Sequence, residues 1–135
     1  MTTFIDTSSL YAILDADDAH HAAAAAAWTE LVEARASLIT HSYCLVETFA
    51  LVQHRLGLAA VRGLQESIVP LLGVQWVEPA LHEAAVAALL IAGRRDLSLV
   101  DCVSFETMRR LGTTRAFTFD QHFGQQGFEV IPAAL

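Results

Sequence analysis

Apolar residues along this chain fall into two alternating rhythms. Short apolar runs read as buried strands, and longer stretches with apolar positions three and four apart read as helices. Thr2 to Ile5 predicts a first strand, and Ser8 to Leu14 a helical turn or two. The Asp15-Ala16-Asp17-Asp18 cluster predicts a loop, with Asp18 as the cap of the next helix. His20 to Ala36 predicts a long alanine-rich helix with Trp28, Leu31 and Val32 on its apolar side. Ser37 to Thr40 follows as a strand. Ser42 then caps a helix that runs to Leu56 and ends at Gly57. Ala59 to Val69 predicts another helix, stopped before Pro70, and Val74 to Val77 a third strand. Pro79 opens a helix through Arg94, and Ser98 caps one that reaches Leu111 before Gly112. Ala116 to Phe119 is the fourth strand and Glu129 to Ile131 the fifth.

Strands alternating with helices imply right-handed crossovers and a mostly parallel sheet of four or five strands, an α/β fold. A length of 135 residues fits one domain spanning 1–135 with a substantial core. An apolar share of 54% fits a sheet covered on both faces and leaves room for a subunit interface. No apolar run reaches the roughly 18 residues of a membrane span, and no basic leader precedes the first strand. Cys44 and Cys102 sit in apolar helical patterns without metal-ligand spacing, so both read as reduced core thiols of a cytoplasmic protein. The formal net charge is −7, and all eight basic residues are arginines.

Four acidic residues break otherwise apolar stretches: Asp6, Glu47, Asp101 and Asp120. A lone buried carboxylate is costly, or neutralises itself through a raised pKa. A shared hard cation explains the four together. Asp6 and Asp120 follow strands, and Asp101 and Glu47 lie early in helices. Open parallel sheets place their sites beyond the carboxyl ends of the strands, where all four can converge. Neither Glu47 nor Asp101 points along an obviously solvated stripe.

Each acid also has a local explanation. Ser98-Leu99-Val100-Asp101 has the form of a capping box, Asp6 can cap the first helix, and Asp120 can start a turn. Glu47, in mid-helix, invites a buried ion pair with Arg55 or Arg62. His20 and His21 read as an exposed loop and helix start. His41, His54 and His82 read as structural or surface groups, and His122 either touches substrate or packs.

Oxygen-only ligands select Mg²⁺ or Mn²⁺, and such a site suits phosphodiester hydrolysis. Competing phosphate chemistries lack their residues here. There is no Gly-Lys-Ser/Thr for a P-loop, and no lysine for a receiver domain. A haloacid-dehalogenase phosphatase wants a second aspartate where Ser8 stands.

Phe4-Ile5-Asp6-Thr7-Ser8-Ser9-Leu10, Glu47 in its helix, Leu97-Ser98-Leu99-Val100-Asp101-Cys102-Val103-Ser104-Phe105 and Phe117-Thr118-Phe119-Asp120-Gln121-His122-Phe123 resemble, in order and spacing, the PIN-domain pattern. The size and the later blocks resemble the VapC toxins of type II toxin–antitoxin pairs. The resemblance implies a single α/β/α PIN domain and a Mg²⁺- or Mn²⁺-dependent endoribonuclease acting on RNA. It also implies a homodimer and a cognate VapB-type antitoxin. Asp6 and Asp101 would be the main metal ligands, Glu47 and Asp120 would complete the pocket, and Ser8, Ser98 and Thr118 would support it as small hydroxyls. Two other functions fit the same pattern: a PIN nuclease of RNA processing with no antitoxin, and an inactive PIN scaffold. The acidic net charge sits awkwardly with nucleic-acid binding. Arg94, Arg95, Arg109, Arg110 and Arg115 are expected either to form a local phosphate-contacting rim or to be solvated helix ends favoured by the dipole.

Overall fold

The structure is a computed structural model that describes residues 1–133. Five strands form one sheet: β1 (Thr2–Ile5), β2 (Ser37–His41), β3 (Gly73–Gln75), β4 (Arg115–Phe117) and β5 (Glu129–Ile131). Their order is β3-β2-β1-β4-β5, and every neighbouring pair is parallel. The helices between them are α1 (Thr7–Leu14), α2 (His21–Glu33), α3 (Ser42–Leu56), α4 (Leu58–Gly63), α5 (Pro79–Ala92), α6 (Leu99–Leu111) and the short α7 (Gln121–Gln125).

Alternation along the strands divides the core in two. Ile5, Leu38 and Phe117 face α1, α2, α3 and α4, where Leu10, Ala24, Leu31, Val52 and Leu64 pack against them. Their strand neighbours Phe4 and Ala116 face α5, α6 and α7, against Ala85, Val103, Phe105, Met108 and Phe123. The result is the expected three-layer α/β/α sandwich, with the sheet parallel throughout.

Several boundaries differ from the sequence expectation, each for a local reason. The helix predicted over 59–69 stops being regular at Leu64. A wide π-type turn spans Leu64–Ile68 and a 3-10 turn spans Val69–Leu71. Pro70 has no N–H to donate and clashes with the preceding turn, so the ladder cannot continue through it. Strand β4 ends at Phe117 rather than Phe119, because side chains take over the donors: Phe119 N–H donates to Ser8 Oγ and Asp120 N–H to Thr118 Oγ1. The second helix starts at His21 with His20 as its cap residue, not at Asp18. Asp18 Oδ1 instead accepts the His20 N–H in the preceding turn. Helix α3 is capped by the ring of His41, whose Nδ1 accepts from Cys44 N–H at 3.1 Å, and not by Ser42. The helix ends as predicted at Gly57, whose φ of 91° is strained for any residue with a Cβ.

The strand order reverses between β1 and β4. The crevice beyond their carboxyl ends is the topological switch point, the position where open α/β sheets bind ligands.

Candidate active site

Three helices begin at that crevice, and each has an aspartate at its cap or in its first turn. Asp6 leaves β1 and is the N-cap of α1. Asp101 is the third residue of α6 and closes a full capping box with Ser98: Asp101 N–H donates to Ser98 Oγ at 3.0 Å, and Ser98 N–H donates to Asp101 Oδ2 at 3.1 Å. Asp120 leaves the end of β4 and is the N-cap of α7, accepting the His122 N–H at 2.9 Å. The local explanations for these residues are therefore correct, and they are also how the carboxylates are aimed. Helix N-termini carry partial positive charge that favours anions.

Asp6 is the most deeply set of the four, 5% exposed. Its Oδ2 accepts from Ser8 Oγ at 2.7 Å and Thr118 Oγ1 at 2.9 Å, with a longer contact from Ser8 N–H at 3.4 Å. All these donors address one oxygen. Among the described residues no side-chain or backbone donor reaches Oδ1 of Asp6, Oδ1 of Asp101 or Oδ2 of Asp120. Each aspartate thus has one oxygen anchored by the protein and one left open. Of the expected supporting hydroxyls, Ser8 and Thr118 anchor Asp6 directly, whereas Ser98 holds the Asp101 carboxylate through its backbone N–H and its hydroxyl accepts the Asp101 N–H. Ser8 Oγ and Thr118 Oγ1 also lie 3.2 Å apart, which ties α1 to the end of β4.

Electrostatics follow from this crowding. Burial drives the Asp6 pKa up to about 6 from 3.8; the Ser8 and Thr118 hydrogen bonds oppose the rise, and the charges of Asp101 and Asp120 add to it. Asp101 is raised by desolvation, with Asp120 adding to the rise and the Ser98 bonds opposing it. Glu47 is raised by desolvation, with a smaller upward push from Asp101. Asp6, Asp101 and Asp120 thus act on one another, and Glu47 joins the group through Asp101. A divalent cation would relieve all of these shifts together, and open oxygens on several carboxylates are a suitable donor set for Mg²⁺ or Mn²⁺.

Glu47 differs from expectation. It is exposed, in a stretch with exposed Val46 and Ala50, and forms no ion pair among the described residues. Arg62 pairs with Glu66 at 3.2 Å, and Arg55 lies over the Tyr11 ring. The carboxylate therefore stands at the mouth of the crevice, not in its floor.

The five arginines do not form one rim. Arg94 is at the site, bonded to Asp96 at 2.8 and 3.1 Å, and Arg95 is exposed next to it. Arg109 lies eight residues beyond Asp101, about 12 Å along the helix axis. It donates to Gln126, and Arg110 pairs loosely with Glu106 at 3.7 Å. Arg115 starts β4, at the opposite end of the strand from Asp120, and donates to Thr3 Oγ1. Helix and strand length separate these three from the acidic edge, and Arg94 and Arg95 are the two of the five that stand beside it.

The structure adds Asp96, which sequence reasoning did not consider, and puts His122, read as touching substrate or packing, beside the acids. Asp96 and His122 join the cluster, with His122 Nε2 3.2 Å from Asp96 Oδ2. One atom each of Asp101, Asp120 and His122 lies within 4.8 Å of the others. The spacing Asp120-Gln121-His122 after a strand was the available signal. Neither cysteine takes part. Both are free and buried, and burial pushes the Cys44 thiol up to about 12, far from a nucleophilic thiolate.

Comparison with known proteins agrees with this fold. The PIN domain family model matches residues 3–129. The 23S rRNA-specific endonuclease VapC20 of Mycobacterium tuberculosis, from two strains, is 34% identical over 131 residues, covering 96% of this chain and 98% of the relative. The crystal structure of M. tuberculosis VapC20, a sarcin–ricin loop cleaving toxin, superposes with a TM-score of 0.81 at 30% identity over 95% of this chain and 96% of that one. FitAcB from Neisseria gonorrhoeae shares the fold, with a TM-score of 0.69 at 17% identity and 96% of both chains covered. A parallel sheet with acidic helix starts at its switch point, matched over residues 3–129 by one family, leaves one conclusion: the chain belongs to the PIN domain family.

Proposed function

We propose that the protein is a divalent-metal-dependent endoribonuclease, the toxin of a type II toxin–antitoxin pair, and that it cuts the sarcin–ricin loop of 23S ribosomal RNA. The observation that carries the reading is the convergence of Asp6, Asp101 and Asp120 at the switch point, each with one oxygen anchored and one open. The VapC20 likeness over nearly the whole chain supports the RNA class.

In this reading Asp6 and Asp101 are the main metal ligands, and Glu47 and Asp120 complete the pocket directly or through water. A divalent cation held by these carboxylates would supply Lewis-acid stabilisation of the phosphoryl charge and activation of a water. Ser8 and Thr118 keep Asp6 oriented, and the Ser98 capping box keeps Asp101 oriented. Arg94 stands near enough to meet a neighbouring phosphate, and its guanidinium fork matches that geometry.

The same acidic pocket suits a basic side chain from a VapB-type antitoxin. Exposed apolar residues, Val46 on α3 and Leu90 and Ile91 at the end of α5, favour protein contacts including a homodimer. No helix among the described residues is long and apolar enough to cross a membrane.

The test is cleavage of purified ribosomes and of a synthetic sarcin–ricin hairpin with Mg²⁺ or Mn²⁺, with 5′ ends mapped by sequencing. A single cut in the loop, abolished by chelator and by Asp101→Asn, is expected. Intact RNA under every metal condition, from folded protein, overturns the reading.

A further inference from the structure

His122 holds a position that the carboxylate reading leaves without a task. It is 8% exposed, in the first turn of α7. Its Nε2 lies 3.2 Å from Asp96 Oδ2, and Asp96 is itself fixed by two bonds from Arg94. Its Nδ1 is sealed from solvent and has no hydrogen-bond partner among the described residues. Asp120 Oδ1 lies 2.7 Å from Nδ1, close enough to pair with it when the ring is protonated, and it also accepts the His122 N–H.

A buried ring nitrogen without a partner is uncommon in native proteins, because leaving it unsatisfied forfeits its hydration. Metal-binding histidines solve this in a recognisable way. One nitrogen meets the ion, and the other donates its N–H to a carboxylate that fixes tautomer and ring orientation. Asp96 occupies the place of that carboxylate. With the proton on Nε2, the Nδ1 lone pair would face Asp120 Oδ1, 2.7 Å away, and a ring nitrogen of His122 lies within 4.8 Å of oxygens of both Asp101 and Asp120.

We propose that His122 Nδ1 is a metal ligand, joining oxygens of Asp101 and Asp120 in a mixed nitrogen–oxygen set that takes Mn²⁺ in preference to Mg²⁺. Mg²⁺ favours oxygen and retains its waters, whereas imidazole suits transition metals. Asp96 acts as a positioning residue, holding the imidazole without touching the ion. The inference rests on the metal-dependent reading above but adds to it a ligand and a selectivity. The rival arrangement is an imidazolium bridging Asp96 and Asp120 with no role in binding metal.

Pulsed EPR of the Mn²⁺-loaded protein separates them without reference to activity. Wild type should show nitrogen hyperfine coupling that changes on [¹⁵N]histidine labelling and disappears in His122→Gln. Calorimetry should show Mn²⁺ bound more tightly than Mg²⁺. Asp96→Ala, at an exposed position, should weaken Mn²⁺ binding by about 10-fold or more, with a smaller effect on Mg²⁺. It keeps the test independent of whether His122→Gln folds. Bound Mn²⁺ without histidine coupling overturns this inference and leaves the carboxylate site standing. Failure of wild type to bind Mn²⁺ at all overturns both.

Discussion

His41 and Ser104 meet inside the protein with Nε2 and Oγ 2.8 Å apart, and this bond joins the start of α3 to the second turn of α6. Ser104 Oγ donates its proton to the Val100 carbonyl, so it must accept from His41. The other ring nitrogen accepts from Cys44 N–H. His41 is therefore neutral, with its proton on Nε2. Burial holds its pKa down at about 4, although a backbone contact at Val100 opposes the shift. The pair sets the relative placement of the helices that carry Glu47 and Asp101. Ser104→Ala should strand a buried donor and lower stability by about 1–3 kcal/mol. Urea denaturation measures it; an unchanged midpoint would mean that the bond contributes nothing net.

Acid and base pull the metal-free protein in opposite directions. Asp6 has a folded pKa of about 6 against 3.8, so its contribution is fully present below 3.8 and is lost as pH rises through 6. His41 has a folded pKa of about 4 against 6.5, so its contribution is present above 6.5 and is lost as pH falls through 4. Asp6→Asn removes the first dependence. In chelator at pH 8 this variant should be more stable than wild type by on the order of 3 kcal/mol at most, and so melt higher. Between pH 6.5 and 4 it should lose stability more steeply. Matching pH–Tm curves for the two proteins would show that Asp6 carries no shifted pKa.

Metal should reverse the sign for wild type. A cation bound only by the folded state stabilises it by RT ln(1 + [L]/Kd), about 2.7 kcal/mol at a hundredfold excess over Kd. Thermal scans with Mn²⁺ should show a large rise for wild type and a small one for Asp6→Asn and Asp101→Asn. Equal responses in wild type and Asp6→Asn would remove Asp6 from the ligand set.

Thr118→Val keeps the shape next to Asp6 and deletes its charge-assisted hydrogen bond to Asp6 together with the acceptor of the Asp120 N–H. Such bonds contribute about 1.5–3 kcal/mol. With less support for its ionised form, Asp6 should deprotonate at higher pH than in wild type. The acid limb of the cleavage profile should move in the same direction. An acid limb that stays in place would assign Thr118 a purely structural part.

An antitoxin that blocks this site should use charge. Its C-terminal segment is expected to place an arginine or lysine among Asp6, Glu47, Asp101 and Asp120, since a guanidinium fits paired carboxylates. A competition assay with the purified pair decides the matter. Undiminished inhibition after replacing every basic residue in that segment points to steric occlusion instead.

Much of this is legible in the sequence, and the limits have physical causes. Strand and helix order follow from the apolar rhythm, and Asp6, Asp101 and Asp120 stand out because each breaks an apolar stretch at an element boundary. Their capping and clustering roles, which look like alternatives, are the same geometry. Helix periodicity sets Glu47 too deep, because it identifies a face but not how far the neighbouring layer extends over it. The His41 cap escapes a sequence reading because a ring nitrogen seldom serves that purpose and Ser42 follows immediately. Asp96 escapes it because its partner, His122, is 26 residues away and no local pattern links them. Charge alone groups the arginines, and only the axial length of α6 separates Arg109 and Arg110 from the acidic edge.

Because Asp6 and Asp120 each start a helix, losing the negative charge and losing the fold are separable events. Asparagine caps a helix about as well as aspartate, and one base change converts either codon. Under the proposed function, a lineage escaping its own toxin has a short path, through Asp6→Asn or Asp120→Asn, to a harmless chain. That chain would keep the sheet, the helix starts and the outer surface. It could still sequester antitoxin, so a silenced copy in a genome would not be inert to the pairs around it.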